Sequence, residues 1–246
     1  MASFQALPLS SLLADSDLVV SGTLKGLKAV SMEGDAPVRR YEGDLHIDGV
    51  LAGDAAPGST CRLRWDYVVG LSSSLDPSFL AGQKGIWLLQ AVPSEKGGSL
   101  FTVSHPSRFL GQDRKKEVES LLAQPLFTLE VEEGDHRPGT PFYATFVVST
   151  WKEKLEIADY IEESGGKLVL HGSAVLHIEC GVTKAAPGRN VVRGKGRPAV
   201  ISRKKPLRVK VDLARYYTFR GEGASTLWWG TSEKLSSPRY TFYQMK

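Results

Sequence analysis

The chain has 246 residues, enough for one large β domain or for two domains of ordinary size. Its 41% hydrophobic and 24% charged residues lie in the normal range of globular proteins. No apolar run approaches the roughly 20 residues that cross a bilayer, which excludes a transmembrane helix. The start shows no signal-peptide pattern, so a cytosolic protein and an exported one whose leader has been removed are both compatible with the sequence.

The net charge of +4 is unevenly divided along the chain. The first 126 residues contain 12 of the 31 Lys and Arg and 14 of the 27 Asp and Glu, which leaves 19 basic and 13 acidic residues for the second half. This asymmetry favours two units with different partners.

The first half has the pattern of a short helix followed by five strands. Leucines at helical spacing predict a helix over residues 7–14. Alternating or continuously apolar runs predict strands at 17–24, 39–51, 60–65, 85–92 and 99–103. A long loop is expected over 68–82.

The second half begins after another helical stretch. Residues 113–123 have an apolar face and are followed by Gln124-Pro125, which ends a helix because the residue before proline avoids the helical region. Strands are predicted at 126–132, 141–150, 167–180, 208–213, 225–229 and 240–243. Strands and turns at this spacing favour a β-sandwich.

The first half resembles a bacterial sequence pattern at residues 14–22, 41–53, 57–60 and 80–88. The pattern is similar to the OB-type barrel of netrin and tissue metalloproteinase-inhibitor domains, and the resemblance covers residues 12–105. It implies an OB-like Greek-key β-barrel at 1–110, followed by a helical linker at 111–126. The amino-terminal cysteine through which those inhibitors act is missing, so the resemblance does not imply their activity.

The second half resembles bacterial immunoglobulin-like sandwiches, at residues 137–142 and 207–217 with Gly221. Gly223 stands where their final hairpin usually has an aromatic residue. The resemblance implies an all-β chain whose second domain is an immunoglobulin-like sandwich at 127–246. Domains of both kinds are typically binding or structural modules of exported proteins, which implies a secreted or periplasmic location, with a cytoplasmic one as the alternative.

A glycine-rich basic segment is the most unusual local feature of the sequence. It has no acidic residue, and a flexible cationic loop of this kind attracts polyanions by counterion release, although a merely solvated loop has the same composition. Its cations are Lys184, Arg189, Arg193, Lys195, Arg197, Arg203, Lys204 and Lys205.

The second candidate site is aromatic. Trp228 and Trp229 are neighbours on a predicted strand, so their side chains point to opposite faces and one of them should face outward. An outward aromatic residue could contact carbohydrate or protein, while packing on both faces is the simpler alternative.

Signals for catalysis and metal binding are poor. The sequence has no Gly-x-Ser-x-Gly, His-Glu-x-x-His, phosphate-loop or Cys-x-x-Cys motif. On a single strand over 167–180, His171 and His177 would lie about 20 Å apart, too far to hold one metal. His177 and Glu179 would be closer, but zinc usually needs three ligands or more. We therefore expect no metal, no cofactor and no catalytic residue.

The two cysteines, Cys61 and Cys180, lie in different halves of the chain. They have no local spacing pattern, which favours free thiols over a disulfide between the halves.

The leading hypothesis is a non-enzymatic binding or structural module of the bacterial envelope or exterior. Its partner would be a protein or a polyanionic polysaccharide. The alternative is a hydrolase or hydrolase inhibitor that works at a cleft between the domains, with the loop at 68–79 as its lid. Nucleic-acid binding through the barrel is disfavoured because the first half carries net negative charge.

Overall fold

The computed structural model shows a mostly β-stranded chain divided into two compact units. It describes residues 7–30, 38–68, 79–93, 100–132, 139–164, 167–170, 174–180, 186–187, 193–218 and 223–244. The first unit runs from Asp15 to Ser120 and the second from Leu121 onward. The segment of residues 7–14, which contains the leading helix, belongs to the second unit and not to the first.

The first unit contains a closed barrel. Its elements are β1 (Leu18–Val30), β2 (Val38–Ala52), β3 (Thr60–Val68), β4 (Lys84–Val92), β5 (Leu100–Thr102), β6 (Phe109–Leu110) and α2 (Lys115–Leu122), the last of which reaches the unit boundary. The hydrogen-bonded order is β1-β2-β3-β5-β4, and β4 pairs again with β1. All these pairs are antiparallel except β3 with β5, which is parallel.

The barrel closes because β1 is both long and irregular. Residues Leu18 to Thr23 pair with β4, while the whole strand from Val19 pairs with β2 through three register shifts. Such bulges increase local twist and bend a strand, which a closed sheet requires. One shift contains Gly26, whose φ of +73° is the left-handed conformation that glycine adopts without strain.

Alternating residues of the strands fill the barrel. Trp65, Phe79, Trp87 and Phe109 form a chain of edge-on or tilted ring contacts with centroid separations of 5.3, 5.1 and 4.6 Å. The Trp87 indole N–H donates to the Gly22 carbonyl at 3.1 Å, so its polar atom is satisfied inside the core. The aliphatic side chains of this core are Leu18, Val20, Leu24, Leu45, Ile47, Leu63, Leu89 and Val103.

A buried arginine ties the end of the barrel together. Arg108 is only 3% exposed, and its guanidinium donates to the Ser16 hydroxyl at 3.2 Å and to the Asp15 carboxylate. Burial lowers the pKa of Arg108 from its ordinary value, and the charges of Asp15 and Asp17 oppose this. Asp15 and Ser16, which come shortly before β1, are thereby bonded to the turn that follows β5.

The second unit consists of helix α1 and two main sheets. Its elements are α1 (Leu9–Ala14), β7 (Leu126–Val131), β8 (Tyr143–Ser149), β9 (Leu155–Ser164), β10 (Lys167–Leu170), β11 (Ala174–Cys180), β12 (Ala186–Pro187), β13 (Arg193–Ile201), β14 (Leu207–Asp212), β15 (Tyr217–Thr218), β16 (Gly223–Ser232), β17 (Leu235–Ser236) and β18 (Tyr240–Gln244). One sheet has the order β13-β9-β10-β11-β16, with β17 and β18 both on the far side of β16, and the other has the order β14-β8-β7. Strands β12 and β15 form a separate pair.

The two main sheets share one hydrophobic core. Trp229 lies at its centre, fully buried, with the rings of Phe127 and Phe146 near-perpendicular to it and both 5.0 Å away. Phe142 and Phe242 pack against each other with a centroid separation of 4.7 Å. Side chains of both sheets thus contribute to a single core in the second unit.

Two sequence predictions for the second unit were wrong. Residues 167–170 and 174–180 form two antiparallel strands, β10 and β11, and not one strand, so the distance argument between His171 and His177 does not hold, and His171 lies outside the described residues. The basic segment is not wholly a loop, because β13 pairs with β9 and β12 with β15. Glycine and proline exclude a helix there, but both are tolerated on a strand at a sheet edge.

Cys61 is a free thiol on the inner face of β3. It is 6% exposed, and this burial raises its pKa to about 11. Cys61 is therefore a core residue without nucleophilic character at neutral pH.

The pairing of β4 with β6 depends on a position without a side chain. A Cβ at Gly85 would lie 2.5 Å from the Leu110 carbonyl oxygen and 2.3 Å from the Phe109 ring. We expect Gly85→Ala to lower the free energy of unfolding of the first unit by about 2–3 kcal/mol, because a backbone atom cannot move aside cheaply. Chemical denaturation monitored by tryptophan fluorescence measures this. Ala91→Ser, on the exposed face of the same strand, is the control and should change it by no more than about 0.5 kcal/mol; equal effects of both changes would contradict this packing.

Candidate functional site

The two neighbouring tryptophans of β16 have different environments. Trp229 faces the core and is fully buried, so no ligand reaches it. Trp228 points to the opposite face of the sheet and is partly exposed. Period-two alternation therefore places one indole outside, as expected, and removes Trp229 from the candidate site.

The outward indole is surrounded by polar side chains. The His177 imidazole, directly across the ladder on β11, stacks on Trp228 with a centroid separation of 5.0 Å and an angle of 6°. The Arg239 guanidinium carbon lies 4.4 Å from the centroid of the Trp228 ring, in cation–π geometry. Arg239 also lies 3.7 Å from the Glu179 carboxylate, so the aromatic and ionic contacts share one cation.

The same face continues across β18. The hydroxyls of Thr226 and Thr241 are 3.0 Å apart, and Tyr243 is 71% exposed. We call this face the Trp228 surface. It consists of His177, Glu179, Thr226, Trp228, Arg239, Thr241 and Tyr243.

Chemically, the Trp228 surface combines aromatic, charged and hydroxyl groups. It offers aromatic edges, a guanidinium, a carboxylate and two hydroxyls on regular strands, which hold them in fixed positions. In proteins generally, groups of these kinds contact hydroxyl-rich or charged molecules through hydrogen bonds and ring contacts. Within the described ranges, no three His, Cys, Asp or Glu side chains are close enough to hold a metal ion.

Two of the eight cations of the predicted basic site cannot be placed. Lys184 and Arg189 lie outside the described residues. Arg193, Lys195 and Arg197 belong to β13, whose backbone pairs with β9 at the end of the sheet order. Their positions are thus on an edge strand, where cations also prevent pairing with other chains.

The last three predicted cations follow β13 and have different environments. Arg203 is half-buried, where it donates to the Ala14 carbonyl and covers the Trp151 ring. Lys204 and Lys205 are exposed in the turn between β13 and β14. Among the cations whose side chains the structure describes, the two lysines are therefore the ones placed to contact a polyanion in solution.

The outer face of the barrel carries a second charged array. On β2 and β3, Arg40 forms two hydrogen bonds of 2.8 and 2.9 Å with Asp66, and Arg64 forms a 3.0 Å ion pair with Glu42. Lys28 of β1 lies 3.6 Å from the same Glu42 carboxylate. Opposite charges across neighbouring strands stabilise a sheet, so this array has a structural explanation.

Beside this array is a groove of about 310 Å³, lined by Gly26, Leu27, Lys28, Glu42, Gly43, Asp44 and Arg62. Two of its lining residues are glycines, which makes the groove shallow and open. Its charges of both signs give it no preference for one type of ion. The groove therefore ranks below the Trp228 surface as a candidate site.

Sequence reasoning missed the partners of Trp228. Arg239 precedes the last predicted strand and Glu179 was considered only as a metal ligand with His177. Alternation along each strand puts these residues outside, but only the register of β11 against β16 brings them to one indole.

Searches against protein-family models, curated proteins and solved structures returned no match for this chain. Across the described residues, none of the helices has the length and apolar character needed to cross a membrane. The function must therefore be inferred from the geometry above.

The charged array of the barrel makes stability depend on pH. Burial alone would raise the pKa of Glu42, but Arg64, Lys28 and Arg62 outweigh it and hold the pKa below its ordinary value of 4.5. A lowered pKa in the folded state contributes stability above the unfolded pKa, and this contribution is lost as pH falls through the folded value. We expect Glu42→Gln to cost roughly 2 kcal/mol at pH 7 and clearly less at pH 3.

Urea denaturation at the two pH values checks this expectation. The matched control is Glu119→Gln, whose exposed carboxylate is 3.8 Å from Lys115 and should contribute less than about 0.5 kcal/mol at either pH. A Glu42→Gln cost that does not change between pH 7 and pH 3 would mean that the carboxylate charge does not contribute.

Proposed function

We propose that this chain is a non-enzymatic binding module of the bacterial envelope or exterior, which recognises a protein or an acidic polysaccharide through the Trp228 surface. The observation that carries the proposal is the cluster of Trp228, Arg239 and exposed Tyr243 on one regular sheet face. Tryptophan, tyrosine and arginine are the residues most enriched at recognition surfaces.

The shape of the surface suits an extended partner. Trp228 presents the part of its ring that His177 and Arg239 leave uncovered, and Tyr243 lies further along the same face on β18. A polysaccharide chain or an extended peptide could contact both rings and place acidic groups near Arg239. Lys204 and Lys205 add positive charge in the same unit.

The finer fold assignments belong to this proposal. The strand order β1-β2-β3-β5-β4-β1, with one parallel pair, supports an OB-like Greek-key barrel for the first unit. Two sheets facing across one core support an immunoglobulin-like sandwich for the second. Both assignments, and the secreted or periplasmic location, also rest on the sequence resemblances.

The barrel is assigned a supporting role and not nucleic-acid binding. Single-stranded nucleic acids bind to barrels through exposed aromatic rings among free cations. On the described outer face of β2 and β3, the cations Arg40 and Arg64 are paired with carboxylates, and Trp65 points into the core.

We expect the intact protein to be retained on immobilised sulfated or carboxylated polysaccharide at low salt and released at high salt. Trp228→Ala together with Arg239→Ala should weaken retention at least about tenfold, because both ring and charge contacts are lost. Neutral dextran controls for non-specific adhesion. If acidic polysaccharide is not retained, the same two proteins are compared in capture from an envelope extract, which tests the protein partner.

The matched control is Leu80→Ala, which removes another exposed apolar side chain, 70% exposed, from the first unit. It should bind like the unchanged protein. Binding in both assays that is equal for the double variant and the control would contradict the proposal, and cleavage of the bound polysaccharide would favour a hydrolase instead.

A further inference from the structure

Helix α1 is too short to be stable by itself. It has six residues, without an acidic residue in its first turn or a basic one in its last. Isolated helices shorter than about 12 residues are marginal in water. Yet Ser10 and Leu13 are fully buried, and Ser11, Leu12 and Ala14 are nearly so. The second unit, to which this segment belongs, must therefore impose the helical structure.

The first turn of α1 is held through serine hydroxyls. Ser10 and Ser11 donate to the Ser236 carbonyl at 3.1 and 2.7 Å, and the Ser236 amide donates back to the Ser10 hydroxyl at 3.3 Å. All these atoms are buried, where a hydrogen bond lost to truncation leaves an unsatisfied group and costs more than on the surface. The end of β17 thus specifies small hydroxyl residues at this point of the helix.

The last turn of α1 is held through its carbonyls. The Trp151 indole N–H donates to the Leu13 carbonyl at 3.0 Å, and the Arg203 guanidinium donates to the next carbonyl, that of Ala14. Arg203 also lies 4.5 Å from the centroid of the Trp151 ring, so the two donors support each other. The last carbonyls of a helix lack partners within the helix, and a cation there is favourable.

We propose that the second unit contains a docking site for a short leucine-rich helix, and that residues 7–14 of this chain are its bound ligand. The site consists of Trp151, Arg203, Ser236 and the neighbouring strands β7 and β17. It recognises leucines by burial, hydroxyls at the first turn and main-chain carbonyls at the last.

Residues 7–14 act as an intramolecular ligand, because they bind to a site that is distant from them in sequence. Leu13 and Trp151 are 138 positions apart, and the first unit begins at Asp15, directly after the bound helix. Covalent attachment supplies a high effective concentration, so the site stays occupied although the helix has few residues. A chain that lacks the segment should bind it as a separate peptide.

The first test uses the chain that begins at Asp15 and a fluorescein-labelled peptide of residues 7–14. We expect saturable binding, measured by fluorescence anisotropy, and no binding to the intact protein, whose site is occupied. The peptide with Ser10→Ala and Ser11→Ala should bind at least about tenfold more weakly. When circular dichroism shows that the shortened chain keeps the β structure of the intact protein, binding to neither protein, or equal binding to both, would overturn the proposal.

The second test uses the intact chain, in case the shortened one does not fold. Arg203→Met keeps the aliphatic stem but removes the donor to Ala14. We expect hydrogen exchange at residues 10–14 and 235–237 to become at least about tenfold faster, with the amides of β1 unchanged. Lys204→Met, at the exposed neighbouring position, is the control. Exchange in Arg203→Met that equals the control would overturn the proposal.

These experiments are independent of the proposed binding function. Trp228→Ala changes the outer face of β16, away from helix α1, and should leave the binding of the peptide to the shortened chain unchanged. Conversely, Arg203→Met should not alter polysaccharide retention beyond the loss of one positive charge.

Discussion

The double pairing of β1 is the constraint on which the first unit depends. Residues 19–23 of this strand are bonded to β2 on one side and to β4 on the other, and Gly22 stands opposite Gly85 in the register that closes the barrel. A side chain at either glycine would meet backbone atoms. These atoms belong to β2 and β6, and across the β1–β4 pairing itself the Trp87 indole N–H donates to the Gly22 carbonyl. Closure thus determines which side chains fill the barrel and which, such as Glu42 and Arg64, are left to pair outside.

The second unit depends on residues that are distant in sequence. Its core needs Trp229 inside, and the alternation that buries Trp229 also turns Trp228 outward, next to His177 and Arg239. Stability and the proposed recognition surface are therefore two consequences of one strand. In helix α1, too, one arrangement has two effects, because burial of its leucines also brings its last two carbonyls to Trp151 and Arg203.

The sequence predicts the all-β class and most strands, because alternation is a local signal. It also predicts that one of Trp228 and Trp229 is outside. It missed β9, which follows a charged turn, and misjudged 167–180, since apolar alternation continues through the hairpin as it would through one strand. Arg203 looked like a free cation because its partner, the Ala14 carbonyl, is 189 positions away. Contacts of this kind follow from tertiary packing and have no local signature.

The most direct test of this account is native-state amide exchange across β1, measured by NMR. In a strand bonded on both sides, successive N–H groups point alternately to the two neighbours, so a continuous run of amides should be protected from Val19 to Thr23. Protection of every second amide only would show that β1 is an edge strand. That result would contradict the closed barrel, and with it the explanation given for the packing of the first unit.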